Sequence, residues 1–101
     1  MAVLVVLTTA PNASSARKIA EGLVRKRLAA CVTVLKGAFS VYRWRGKIEK
    51  APEVQLLIKT TEGKFQALRR WMEKKHPYES PEIIGWRVSV GSAKYLSWIN
   101  H

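Results

Sequence analysis

The stretch Cys31–Thr60 constrains this chain more than any other, because it reads as one long β-hairpin, bent once and turned once. Its first arm runs Cys31-Val32-Thr33-Val34-Leu35, breaks at Lys36-Gly37, and resumes as Ala38-Phe39-Ser40-Val41-Tyr42-Arg43-Trp44. The second arm runs from Lys47 to Thr60 and is most apolar at Val54-Gln55-Leu56-Leu57-Ile58. Between them Arg45-Gly46 supplies a short turn in which glycine accommodates a positive φ. Alternation of Phe39 and Val41 with Ser40, Tyr42 and Arg43 selects a strand over a helix. Arms of this length exceed the usual ~5–6 residues of a globular strand. A small domain does not cover both faces of such a ribbon alone, so a partner subunit is expected.

Length bounds the rest. The 101 residues fit a single domain over 1–101, with one core. No apolar run approaches the ~20 residues of a membrane span. The opening Met1–Leu7 is apolar but lacks a basic start and a small-residue cleavage site, so it reads as a buried strand and not as a signal peptide. Cys31 is the one cysteine, which excludes an intrachain disulfide and suits a reducing cytoplasm. Eighteen Lys and Arg against seven Glu, with no Asp, give a net charge of +11. Such a balance fits anionic partners. The basic residues are scattered, however, with Arg25-Lys26-Arg27 and Lys74-Lys75 near expected helix ends, where cations suit the macrodipole. With no nucleic-acid motif beside them, a solvated basic surface is favoured over nucleic-acid recognition.

Along the chain, Val3–Thr8 is a continuous apolar strand covered on both faces. Asn12, Ser14 and Ser15 offer N-cap oxygens for a helix from about Ser14 to Lys26, with Ala16, Ile19, Ala20, Leu23 and Val24 on its apolar stripe. Pro52 makes its part of the hairpin an edge or a bulge. Thr60-Thr61-Glu62 gives capping chemistry for a second helix, about Glu62 to Lys75, whose stripe is Phe65, Leu68, Trp71 and Met72. Two prolines keep His76–Glu82 extended. Ile83–Val88 is a short strand, and Ser92–Asn100 forms one or two helical turns anchored by Tyr95, Leu96, Trp98 and Ile99. The order is β-α-β-β-α-β with a C-terminal helical appendix: an α+β, ferredoxin-like sandwich with both helices on one face of an antiparallel sheet.

The residues reveal no covalent catalyst. A Ser-His-Asp set lacks its Asp, Thr8–Asn12 contains no glycine for a phosphate loop, and no HxxxH or CxxC pair occurs. Cys31, between small and apolar neighbours, reads as a buried thiol. His76-Pro77-Tyr78 with Glu82 has two readings. It lines a polar cleft, or His76 caps helix carbonyls while Tyr78 packs on the sheet; the residues slightly favour the second. Trp44 at the hairpin tip is a ligand platform or, as is commoner for such aromatics, an interface residue.

Five segments in order carry a family resemblance: Arg27-Leu28-Ala29-Ala30-Cys31-Val32, Tyr42-Arg43-Trp44-Arg45-Gly46-Lys47, Lys59-Thr60-Thr61, His76–Ile83 and Tyr95-Leu96-Ser97-Trp98. Together they resemble the CutA family of divalent-cation-tolerance proteins over nearly the whole chain. The resemblance implies an intertwined homotrimer similar to PII-type signalling proteins, a cytoplasmic setting and a link to tolerance of copper and other divalent metals. It implies no established reaction. Family polar residues gather in clefts between subunits, and the matching positions are Cys31, Tyr42, Trp44, Lys59, His76, Tyr78, Glu82 and Trp98. Thr33 stands where many members have Asn, and Thr8 stands near a cysteine that some members carry and that is implicated in copper binding. That leaves His76 and Cys31 as candidate metal ligands and makes weak binding of copper or another divalent metal the expectation. The remaining six positions are candidates for a small ligand. Two alternatives are an enzyme using Lys59, His76 and Glu82 as acid–base groups, and a trimeric scaffold for protein partners.

Overall fold

The computed structural model describes residues 1–101. Strand β1 (Val3–Ala10) leads into helix α1 (Ala13–Arg25), the hairpin strands β2 (Cys31–Trp44) and β3 (Lys47–Thr61), a 3-10 turn at Glu62–Lys64, helix α2 (Phe65–Lys75), strand β4 (Ile84–Arg87) and helix α3 (Ala93–Ile99). The sheet order is β2-β3-β1-β4, antiparallel throughout. The four-stranded α+β arrangement is therefore as expected, with β1 two residues longer and β4 shorter.

Period-2 patterning on the two central strands determines which side closes. Leu4, Val6, Thr8 and Ala10 of β1, with Val54, Leu56, Ile58 and Thr60 of β3, are buried on the helix-facing side. Ala16, Ile19 and Leu23 of α1 and Leu68 and Met72 of α2 complete this core. Full removal of side chains such as Leu23, Leu56 and Leu68 from water contributes about 1.5–3 kcal/mol each. Val24, expected on the apolar stripe, is exposed instead, because it lies at the margin of the face that α1 turns to the sheet.

The caps refine the helix boundaries. Asn12, one of the expected caps, accepts a hydrogen bond from the Ser15 N–H as the N-cap of α1, and the helix starts one residue earlier than expected. At the other end Arg27 adopts φ 59°, a left-handed position usually given to glycine, while its N–H and that of Leu28 return to Val24 and Leu23. The α2 N-terminus has no side-chain cap. Thr60 donates instead to the Leu28 carbonyl in the loop before β2, and Glu62 pairs with Arg87 of β4, so the expected capping residues hold other elements.

The hairpin is as long as its pattern demanded. Its register shifts between Leu35 and Ala38, where Gly37 takes φ 91°, and the tip is a tight turn with Arg45 at φ 52° and Gly46 at φ 79°. Beyond the bulge, Phe39, Val41 and Ile48 are 64%, 58% and 57% exposed. On the sheet face away from α1 and α2, Cys31, Lys59, Val5 and Trp86 form one cross-strand row, and Thr33, Leu57, Leu7 and Ile84 form the next. Trp86 and Ile84 are largely exposed there, so β1 is sealed on one face only. Helix α3, capped by Ser92, reaches the Cys31 end of this open face. Of its expected anchors only Ile99 is buried; Tyr95 and Trp98 are exposed.

Candidate functional site

The largest concavity lies where the bent outer half of the hairpin faces the segment after α2. It has a volume of about 590 Å³ and is lined by Ser40, Tyr42, Trp44 and Glu53 from the hairpin, Thr9 from β1, and Pro77, Tyr78, Glu79 and Glu82 from the segment after α2. Register explains the hairpin contribution: Ser40, Tyr42 and Trp44 pair with Ala51, Glu49 and Lys47, odd positions of β3 that alternate with its core-facing residues and share a face with Glu53. Prolines 77 and 81 keep the opposite wall out of a helix, but its backbone bends through Pro77–Ser80 and does not run extended as expected. At the mouth, Arg45 lies over the Trp44 ring at 5.4 Å and reaches Glu79 at 3.4 Å.

Beneath the cleft is a small buried polar network. The His76 Nε2–H donates to the Thr9 carbonyl at 2.8 Å, with Thr8 Oγ1 at 3.5 Å, while Nδ1 accepts from the Tyr78 N–H at 3.1 Å. Both ring nitrogens are therefore engaged, which fixes one neutral tautomer. Burial pushes the His76 pKa below its ordinary value, against the opposing Thr9 hydrogen bond and the nearby Glu53 charge. The Tyr78 hydroxyl donates to Glu53 Oε2 at 2.6 Å. Burial and then that carboxylate raise the Tyr78 pKa well above the ordinary phenol range. For Glu53 itself, burial is the largest influence and works upward. Hydrogen bonds from Ser40, Tyr78 and Thr9, with the field of His76, outweigh it and leave the carboxyl below its usual value. Glu53 is 8% exposed and is the one buried carboxylate of the chain.

This geometry sorts the candidate residues into two groups. Tyr42, Trp44, Tyr78 and Glu82 line the cleft, with His76 under its floor. Cys31, Lys59 and Trp98 lie at the other end of the open face. Cys31 pairs with Lys59 in register, its Sγ is 3.7 Å from the Tyr95 hydroxyl, and Tyr95 stacks on Trp98. The Cys31 bond is the main influence raising the Tyr95 pKa. Cys31 is partly exposed, not buried as its neighbours suggested. Lys59 lies six steps along β3 from Glu53, about 20 Å at the rise of an extended strand. Lys59 Nζ bonds to Thr33 Oγ1 and the Leu57 carbonyl and makes no ion pair with Glu82. An acid–base set of Lys59, His76 and Glu82 is thus not assembled within one chain. His76 is the C-cap of α2, its backbone N–H donating to the Met72 carbonyl as the second reading expected, while its ring ties the loop to the end of β1 and lies beneath the cleft.

Glu53 escaped the sequence reading. Its one signal was a carboxylate between Pro52 and the apolar run Val54–Ile58, at a position where a strand otherwise bound for the interior carries charge. Ser40 and Thr9 gave no signal, since serine and threonine serve equally well on a solvated strand.

Comparison with known proteins adds a family to this geometry. The family model described as CutA1 divalent ion tolerance protein matches residues 4–101. The divalent-cation tolerance protein CutA of Pectobacterium atrosepticum is 46% identical over 97 residues, covering 96% of this chain and 88% of that protein. The crystal structure of CutA from Xylella fastidiosa superposes with a TM-score of 0.94 at 50% identity, covering 97% and 94% of the two chains. A protein described as the periplasmic divalent cation tolerance protein CutA of Archaeoglobus fulgidus superposes with a TM-score of 0.94 at 35% identity, covering 97% and 95%.

Proposed function

The chain belongs to the CutA1 divalent ion tolerance family, and on that premise we propose that it works as a PII-like homotrimer. In this reading it catalyses no reaction and holds a divalent metal ion or small ligand weakly in clefts between subunits. The observation that carries this is the separation of the candidate residues into two groups at opposite ends of one open sheet face, the Tyr42–Trp44–Tyr78–Glu82 cleft and the Cys31–Lys59–Trp98 end. In a closed ring each subunit's second group is free to meet the next subunit's first. The exposed apolar residues of the hairpin and open face supply the surface that such contacts would bury.

One chain alone does not fit a closed metal site. No three His, Cys or Glu side chains converge, and coordination at either His76 nitrogen requires breaking an internal hydrogen bond. Cys31 lies at the far end of the face, and Thr8 offers a hydroxyl where a thiolate would favour Cu(I). Weak binding shared between subunits follows. Calorimetric titration of the assembled protein with Cu(II) is the test: weak heats in the native protein, lost in a Val41→Glu variant that no longer assembles. Equal affinity in the dissociated chain would overturn the inter-subunit placement. The free thiol of Cys31 fits a reducing cytoplasm; recovery of the protein in a periplasmic fraction would contradict that.

A further inference from the structure

A second concavity, of about 340 Å³, lies at the C-terminal end of α1, remote from the acidic cleft. Three elements build it: Arg25 and Arg27 at the end of α1, Lys64 just before α2, and Trp98 and His101 from the C-terminal helix and its end. No carboxylate lines it. The macrodipole accounts for Arg25, which also touches Glu21 at 3.7 Å. It does not account for Lys64, which comes from another element, or for a half-exposed tryptophan placed among unpaired cations. Arg27 and Lys64 make no ion pair. The Trp98 ring is held by stacking on Tyr95 at 5.8 Å, which limits the ordering required when a ligand docks against it. Buried Ala29 and Ile99 give the groove an apolar floor.

The geometry points to a nucleoside phosphate as the ligand of this groove, with Arg25, Arg27 and Lys64 holding the phosphates and Trp98 the base. Guanidinium forks suit phosphate oxygens, and a flat indole suits any base by stacking. The volume lies at the lower end of the range for small-molecule sites. Arg25, Arg27 and Lys64 come from the end of α1, the residues just after it and the turn before α2, whereas Trp98 also belongs to the group placed at subunit contacts, so this inference rests on that contact leaving the indole face open.

Calorimetry of the purified full chain with ATP, tripolyphosphate, adenosine and poly(U), in EDTA to exclude divalent ions, decides it. ATP should bind roughly tenfold more tightly than tripolyphosphate, the gain expected of base stacking, and adenosine should bind far more weakly than either. Trp98→Leu should erase the difference between ATP and tripolyphosphate. Arg27→Gly keeps the fold, since the left-handed backbone there suits glycine. It should weaken both phosphate ligands and lower the slope of log affinity against log salt by about one. No binding of ATP at millimolar concentration would overturn the assignment. So would equal native affinity for ATP and tripolyphosphate, or poly(U) binding more tightly per site than ATP.

Discussion

The two halves of the hairpin follow the same strand rules and end in opposite environments. The inner half, Val54–Thr60 of β3, alternates into a closed core in which Leu56, Ile58 and Thr60 meet α1, α2 and the loop between α1 and β2. The outer half, Ala38–Ala51, carries comparable apolar residues and has no helix on either side, leaving Phe39, Val41 and Ile48 in water. Strand propensity sets the backbone of both. Only the inner half is given a helix partner by its own chain; the outer half faces the Pro77–Glu82 segment across the cleft and leaves Phe39, Val41 and Ile48 exposed. On the proposed trimer the two halves serve folding and assembly separately, and mutations in them have different readouts.

The largest effect should come from the closed half. Leu68→Ala removes a fully buried side chain and should destabilise the fold by about 2–5 kcal/mol in guanidinium unfolding. Val41→Glu, in the outer half, should leave the circular dichroism spectrum native while shifting the protein to smaller species on gel filtration. Unfolding by Val41→Glu would show that the halves are one cooperative unit and break the comparison.

The polar network between the halves should give an intermediate effect. Tyr78→Phe removes the hydroxyl bonded to the Glu53 carboxylate, and a hydrogen bond to a charged group contributes about 1.5–3 kcal/mol. The same network sets an acid dependence. A His76 pKa lowered from 6.5 means that the unfolded chain binds the proton more readily, so its stability contribution is complete above that value and falls as pH drops through 6.5 toward the folded value. Glu53, lowered from 4.5, likewise contributes above that value and loses the contribution at lower pH. Urea unfolding from pH 7.5 to 3.5 should therefore show a first loss that His76→Gln removes and a later one that Glu53→Gln removes. The smallest effect should be a gain: Arg27→Gly relieves a left-handed non-glycine residue and should stabilise by about 1 kcal/mol or less, raising the urea midpoint.

The element order and the length of the hairpin were legible because period 2 and period 3.6 leave different marks on short runs, as in Val54–Ile58 against Ala16–Leu23. The bulge was legible at Lys36-Gly37 for the same reason that Gly37 sits there. Less could be read where one residue type serves several geometries. Thr60 is an equally good cap and donor to a neighbouring loop, and the structure uses it as the donor. Val24, Tyr95 and Trp98 have apolar side chains on helices, yet their exposure depends on the angle at which each helix meets the sheet, which no local spacing encodes. Of the cleft, Tyr42, Trp44, Tyr78 and Glu82 were named from the family resemblance and do converge. Glu53 was not named, because its partners Tyr78 and Ser40 reach it only through tertiary register.

Sedimentation of the native chain at micromolar concentration tests the division of the hairpin most directly. One species of three chains is expected, held more firmly at moderate salt because each subunit carries +11. A folded, stable monomer with Phe39 and Val41 in water would contradict it.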